Sequence, residues 1–127
     1  LIRVLEAVKN SYNSYTVDNL SLLCGAAAMD DEAYFAKTTA AVITTRERVR
    51  RALEQMGFSV LPSRTNFLFA TKDGASMRDL FLYLKQRHIY IRYFDLPRID
   101  NYVRITIGTD AQMDAFLQGT EAFLRGE

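Results

Sequence analysis

The chain has 127 residues, 49% of them hydrophobic and 24% charged, which fits a folded domain and excludes a disordered segment. Sixteen basic against fifteen acidic residues leave a net charge of +1, so there is no electrostatic case for nucleic acid or an acidic membrane as partner. Cys24 stands alone, which rules out a disulfide-stapled scaffold, and no apolar run approaches the roughly 20 residues that span a bilayer. The expectation is a soluble, cytoplasmic domain.

Leu1 to Val8 read as the tail of an amphipathic helix, and an opening on Leu1 in mid-helix points to part of a longer protein. Ser11 to Thr16 (SYNSYT) are polar and read as a loop, followed by an apolar helix over about Val17 to Met29. Asp30-Asp31 then open a long helix, where acidic groups suit the helix dipole. Its apolar stripe is Phe35, Thr38, Val42, Thr45, Val49, Ala52, Leu53 and Met56; Arg46, Arg48, Arg50 and Arg51 take the other faces, and Gly57 ends it.

From Phe58 the apolar period changes to two. Phe58 to Leu61 and Asn66 to Thr71 read as strands joined by Pro62 to Thr65. A Lys72-Asp73-Gly74 turn leads to a helix over Met77 to Arg87, with Ser76 and Asp79 as its capping pair. Strands follow over Ile89 to Tyr93 and Tyr102 to Ile107, and Thr109 with Gln112 caps a last helix whose apolar face is Met113, Phe116, Leu117 and Phe123. The order predicts an α+β fold: a small, four-stranded, largely antiparallel sheet with helices on one face, preceded by a long helix and an N-terminal helical arm. Residues 1–30 form that arm; Leu20, Leu22, Leu23 and Ala26 to Met29 have no partner in the layer and are expected to pack on a large domain or a second subunit. Residues 31–127 form the small domain.

Strand parity locates the candidate chemistry. Val103, Ile105 and Ile107 oppose Tyr102, Arg104 and Thr106, and Ile89 and Ile91 oppose Tyr90 and Arg92. If Phe67 and Phe69 take the aliphatic side, Asn66 falls with Arg92 and Arg104 on the face without helices. Two guanidiniums and an amide there form a fork for a carboxylate or phosphate. The alternative is that both arginines are solvent-exposed edge residues or ion-pair partners of Asp95 or Asp100. His88, the only histidine, sits where a helix meets a strand and reads as a helix C-terminal residue, with general base as the lesser reading. Cys24 reads as a buried thiol, no Cys/His cluster suggests a metal, and none of the four lysines stands in a setting that could hold an aldehyde cofactor.

The runs SRTNFLFA (Ser63 to Ala70), IYIRYFD (Ile89 to Asp95) and NYVRITIGTDAQMDAFL (Asn101 to Leu117) resemble the C-terminal domain of histidinol-phosphate aminotransferases. These are fold-type-I, pyridoxal-phosphate enzymes of the class I/II aminotransferase superfamily. TVDNLSLLCGAAAMDD (Thr16 to Asp31) and the Arg-rich helix fit the same family, so the resemblance covers essentially the whole chain. It implies that Arg104 binds the substrate anion, that Arg92 approaches the same group, and that Tyr12 and Asn13 belong to a polar loop near the cofactor cavity. Asn66 matches a family asparagine that is structural as readily as functional. It further implies amino transfer between L-histidinol phosphate and 2-oxoglutarate in a homodimer. Pyridoxal 5'-phosphate would be held by a large-domain lysine, so this chain alone would be inactive. His88 departs from the family's usual glycine. Competing readings are a free-standing module that binds a small anionic metabolite, an interaction domain, and other class I/II enzymes such as aromatic or aspartate-type aminotransferases and threonine-phosphate decarboxylases.

Overall fold

The structure, a computed structural model, describes all residues except Asn13, Ser14, Thr16 and the side chain of Tyr12. The chain divides into two compact units, residues 1–37 and 38–127. The first unit holds α1 (Ile2–Tyr12) and α2 (Asn19–Asp30). The first helix runs past the expected loop boundary at Ser11. Asp18 caps α2: its carboxylate accepts the Ser21 N–H and hydroxyl, each at 2.9 Å. None of the residues of α2 is buried, and Leu20 and Leu23 are about 70% exposed. A helix that is apolar on every side is built to be covered.

Asp31, not Asp30, stands at the head of α3 (Glu32–Gln55), where its Oδ1 accepts the Tyr34 N–H at 2.9 Å. In the second unit this helix buries Thr45, Arg46, Val49 and Leu53. Arg46 therefore departs from the expected outer face. Its charge is accommodated because Nη1 donates to the Thr65 carbonyl at 2.9 Å and Nε pairs with Glu47 at 3.2 Å. Gly57 ends α3 at φ +83, with the Gly57 and Phe58 N–H groups returning to Glu54 O and Leu53 O.

The remaining elements are β1 (Ser59–Val60), β2 (Phe67–Thr71), α4 (Met77–Gln86), β3 (Arg92–Tyr93), β4 (Val103–Thr106) and α5 (Asp110–Arg125). The sheet order is β1-β2-β4-β3 and every pair is antiparallel. The strands are shorter than the apolar runs suggest. Ile89 to Ile91 approach β3 without joining the ladder, and Phe58 is a buried side chain ahead of β1.

Leu68, Ala70, Val103 and Ile105 face the helices and are at most 1% exposed. They pack with Val49 and Leu53 of α3, Leu80 and Leu84 of α4, and Phe116 of α5 in one core. Burial of each such Leu or Phe side chain contributes on the order of 1.5–3 kcal/mol. Gly119 lets α5 approach closely, because a Cβ there would meet Leu84 Cδ2 at 2.9 Å and Ile89 Cδ1 at 3.3 Å. Thr109 and Gln112 form a complete capping box on α5.

The expected parity of β2 is reversed. Leu68 and Ala70 are the core residues, while Phe67 and Phe69 lie on the other face. The run NFLFA carries no polar alternation to fix its parity; the tight helix-covered space does so by admitting the smaller pair.

The first turn of α5 is tied to α3 by charge. Asp110 Oδ1 accepts the Thr45 hydroxyl at 2.9 Å and Arg48 Nη2 at 3.0 Å, and Arg48 Nη1 pairs with Asp114 at 2.6 Å. The Thr45 hydrogen bond, then the Arg48 one, hold the Asp110 carboxyl below its ordinary value of 3.8. A lowered folded-state pKa gives stability that is complete above that ordinary value and lost as pH falls through the lower one. Asp110→Asn should therefore lower the thermal midpoint at about pH 7 and do so less at about pH 2, toward which the parent carboxylate takes up protons. Equal losses at both pH values would show that the carboxylate charge contributes nothing.

Candidate functional site

The side of the sheet away from the helices carries guanidiniums on a bed of aromatic rings. Antiparallel register places Phe69 opposite Arg104, Phe67 opposite Thr106 and Arg92 opposite Arg104, so these side chains share one face. Phe69 stacks on Tyr102 at 4.8 Å between centroids and meets Phe94 edge-on at 6.0 Å. Arg104 Cζ stands 5.1 Å from the centroid of Phe67 and 5.9 Å from that of Phe94, and Arg92 Cζ stands 5.4 Å from Phe94.

Arg104 Nε is buried and has no hydrogen-bond partner. Among the described residues, neither Arg104 nor Arg92 forms an ion pair, and Asp95 and Asp100 do not supply one. The ion-pair alternative thus fails among the described residues, whereas Arg92 is exposed on the edge strand β3, as the edge alternative has it. A buried donor of a charged group without an acceptor costs on the order of 1–3 kcal/mol, a cost an arriving anion would remove. The face thus presents two guanidiniums without carboxylate partners, beside rings that attract cations.

Asn66 does not join this pair. It precedes β2, its residue is exposed, and its carbonyl accepts the Ile107 N–H at 2.8 Å, which aligns it with the parity of the core-facing Ile107. Its expected place beside Arg92 and Arg104 fell with the reversed parity of β2. The Tyr12 side chain and Asn13 lie outside the described residues. The aromatic bed of Phe67, Phe69, Phe94 and Tyr102 was not anticipated as part of the site. The available signal was the Tyr102-x-Arg104 and Arg92-x-Phe94 spacing, which gives those two rings the arginine parity; the Phe67-x-Phe69 run carries none by itself.

The other candidates make contacts of their own. Lys72 Nζ donates to the Met56 carbonyl at 2.8 Å, and Lys85 lies 5.8 Å over Phe81. Cys24 is exposed, contrary to the expected buried thiol, because α2 has no neighbour burying it. His88 has φ +60, and its N–H and that of Ile89 return to Lys85 O and Leu84 O, so it closes α4 as glycine does elsewhere. A separate apolar groove of about 430 Å³ runs between His88 to Ile91 and α5, lined by Ile105, Met113 and Phe116.

The model of the family described as aminotransferase class I and II matches residues 1–119. The chain belongs to that family. It is 47% identical over 115 residues to histidinol-phosphate aminotransferase 2 of Dechloromonas aromatica (strain RCB), covering 91% of this chain and 32% of the relative. It is 43% identical over 125 residues to the histidinol-phosphate aminotransferase of Chromohalobacter salexigens, covering 98% and 36%. Among solved structures, the histidinol-phosphate aminotransferase of Sinorhizobium meliloti in complex with pyridoxal-5'-phosphate superposes with a TM-score of 0.79 at 26% identity, covering 95% of this chain and 34% of that one. The chain spans about a third of the length of the curated aminotransferases it matches.

The left-handed residue at the end of α4 makes a direct test of the histidine. An L-residue pays about 1–2 kcal/mol in that conformation, partly offset because glycine is freer when unfolded. His88→Gly should raise stability by about 0.5–1 kcal/mol in denaturant unfolding and leave amino transfer by the full-length aminotransferase unchanged. A large loss of turnover in a folded His88→Gly enzyme would instead give the imidazole a chemical task.

Proposed function

We propose that this chain is the substrate-orienting C-terminal domain of a cytoplasmic, homodimeric aminotransferase that moves an amino group between L-histidinol phosphate and 2-oxoglutarate. The unpartnered, buried Nε of Arg104 is the observation that carries the reading. Family membership supports the reaction class, and the relatives' shared name supports the donor.

Arg104 binds the anionic end of the amino donor and, in the second half-reaction, of 2-oxoglutarate. Arg92, its cross-strand neighbour, closes on the same group from the edge of the sheet. Two fixed contacts on one end of a small molecule restrict how its other end can turn, and such orientation is worth several orders of magnitude in rate. Stacked rings on one side of the guanidiniums limit hydration there and strengthen the charge contacts.

The face offers two guanidiniums and no amine, so it suits the substrate's anion and not the aldehyde end of pyridoxal phosphate. The cofactor and its lysine are assigned to the large domain. Tyr12 and Asn13 are assigned to the polar loop near the cofactor cavity by resemblance alone. Asn66 is read as structural, holding the end of β4 through its carbonyl. The exposed Leu20, Leu22 and Leu23 of α2 are read as covered by the large domain or the second subunit. A full-length enzyme that sediments as a monomer at micromolar concentration would remove the homodimer from this reading.

Arg104→Ala in the full-length enzyme should lower kcat/KM by about 30- to 1000-fold, the scale of about 2–4 kcal/mol for a lost buried charge contact. Steady-state kinetics with L-histidinol phosphate measure it, and an unchanged kcat/KM would withdraw the assignment. The 127-residue chain supplied with pyridoxal phosphate should show no amino transfer.

A further inference from the structure

Arg92 and Arg104 are direct cross-strand partners on β3 and β4, a placement that sets two like charges side by side. Such pairs are destabilising on an antiparallel ladder, and no carboxylate among the described residues relieves this one. One group is common to both: the ring of Phe94, 5.4 Å from Arg92 Cζ and 5.9 Å from Arg104 Cζ. Both distances lie within the roughly 6 Å over which a ring quadrupole attracts a cation. Arg104 has a second ring in Phe67, whereas Arg92, otherwise exposed, has Phe94 alone.

The geometry points to Phe94 as a positioning residue that holds the two guanidiniums on one anion. Its ring stands just past the end of β3 and is itself fixed by the edge-on contact with Phe69, which is stacked in turn on Tyr102. The negative face of the ring takes the part of a counter-charge without occupying any N–H donor. A carboxylate in that place would attract the same guanidiniums but would also fill their donors and repel the substrate anion. Phe94 thus keeps the arginines converged and their hydrogen-bonding edges open. The substrate class follows. An anion that can accept from two guanidiniums at once, a phosphomonoester dianion above all, depends on this convergence more than a monocarboxylate held by Arg104 alone.

The inference rests on the reading of this face as the substrate-anion site, and the experiment separates the two. In the full-length, cofactor-loaded enzyme, Phe94 is replaced by mono-, di- and trifluorinated phenylalanine. These keep the ring's shape and progressively drain its negative face, which a role in packing alone would not register. Phe94→Leu and Phe94→Tyr are measured beside them.

KM for L-histidinol phosphate should climb stepwise with fluorination, reaching about 5- to 30-fold in the trifluorinated enzyme and in Phe94→Leu. Phe94→Tyr should stay within about threefold of the parent, and kcat should change little in all of them. In an Arg92→Gln background most of the fluorination effect should vanish, since one of the two tethered cations is gone. A KM indifferent to fluorination, in an enzyme still crippled by Arg104→Ala, would overturn the role of Phe94 and leave the anion site standing. Indifference to Arg104→Ala as well would take down the anion site and this inference together. Should Phe94→Leu fail to fold, the fluorinated series alone decides.

Discussion

The ladder between β2 and β4 decides what each face of the sheet can do. It sets Leu68 against Ile105 and Ala70 against Val103 beneath the helices, and Phe69 against Arg104 on the open side. Side chains alternate along a strand, so a slip of one residue would drive Phe67 and Phe69 into the core and turn Leu68 and Ala70 outward. The core has no room for that exchange: Val49, Leu53, Leu80, Leu84 and Phe116 are all at most 1% exposed around it. Overpacking of this kind typically costs 1–3 kcal/mol at each site. The small Ala70 thus helps decide that Phe67, Phe69 and Arg104 are presented on the open face, although it never touches that face.

A guanidinium left without an acceptor is ordinarily a defect. Here it is tolerated because Phe67 and Phe94 flank Arg104 and attract its charge without competing for its N–H groups. Lysine could not take the same place. Its compact, strongly hydrated ammonium would lose more on leaving water and could not lay a flat, delocalised cation along two rings while keeping a donor edge free. Tyr102 sits one ring further away, stacked against Phe69.

The parts legible in the sequence were those where polar and apolar residues alternate or where a cap residue has one strong use. Val103-Arg104-Ile105-Thr106 alternates cleanly, and both its faces follow. Gly57, Ser76 and Thr109 mark helix ends through requirements of backbone geometry, and His88 could be read as left-handed from its place between α4 and the next extended segment. NFLFA was opaque because Phe, Leu and Ala are all acceptable in a core, so only the volume available under the helices could sort them. The burial of Arg46 is hidden for a related reason: nothing local announces that the Thr65 carbonyl, on a distant turn, will satisfy a buried guanidinium. The length of β3 was equally hidden, since Ile89 and Ile91 pack against the core without pairing in the ladder.

The remaining charges show how the open face stays free of carboxylates. Residues 38–127 carry several carboxylates able to reach an arginine, and the structure commits them elsewhere. Glu47 and Glu54 hold Arg50, Glu47 also meets Arg46, and Asp110 and Asp114 hold Arg48. These pairs lie along α3 and at the head of α5, where one helix can be aligned on another at little cost if a pair is weak. Two of them are i,i+3 and i,i+4 contacts within α3 itself, so their partners are fixed by the helix before any tertiary fold forms. Asp95 and Asp100, the acids nearest Arg92 and Arg104 in sequence, lie in the connection between β3 and β4 and make no ion pair with either. Carboxylates thus serve the helical layer and rings serve the open face.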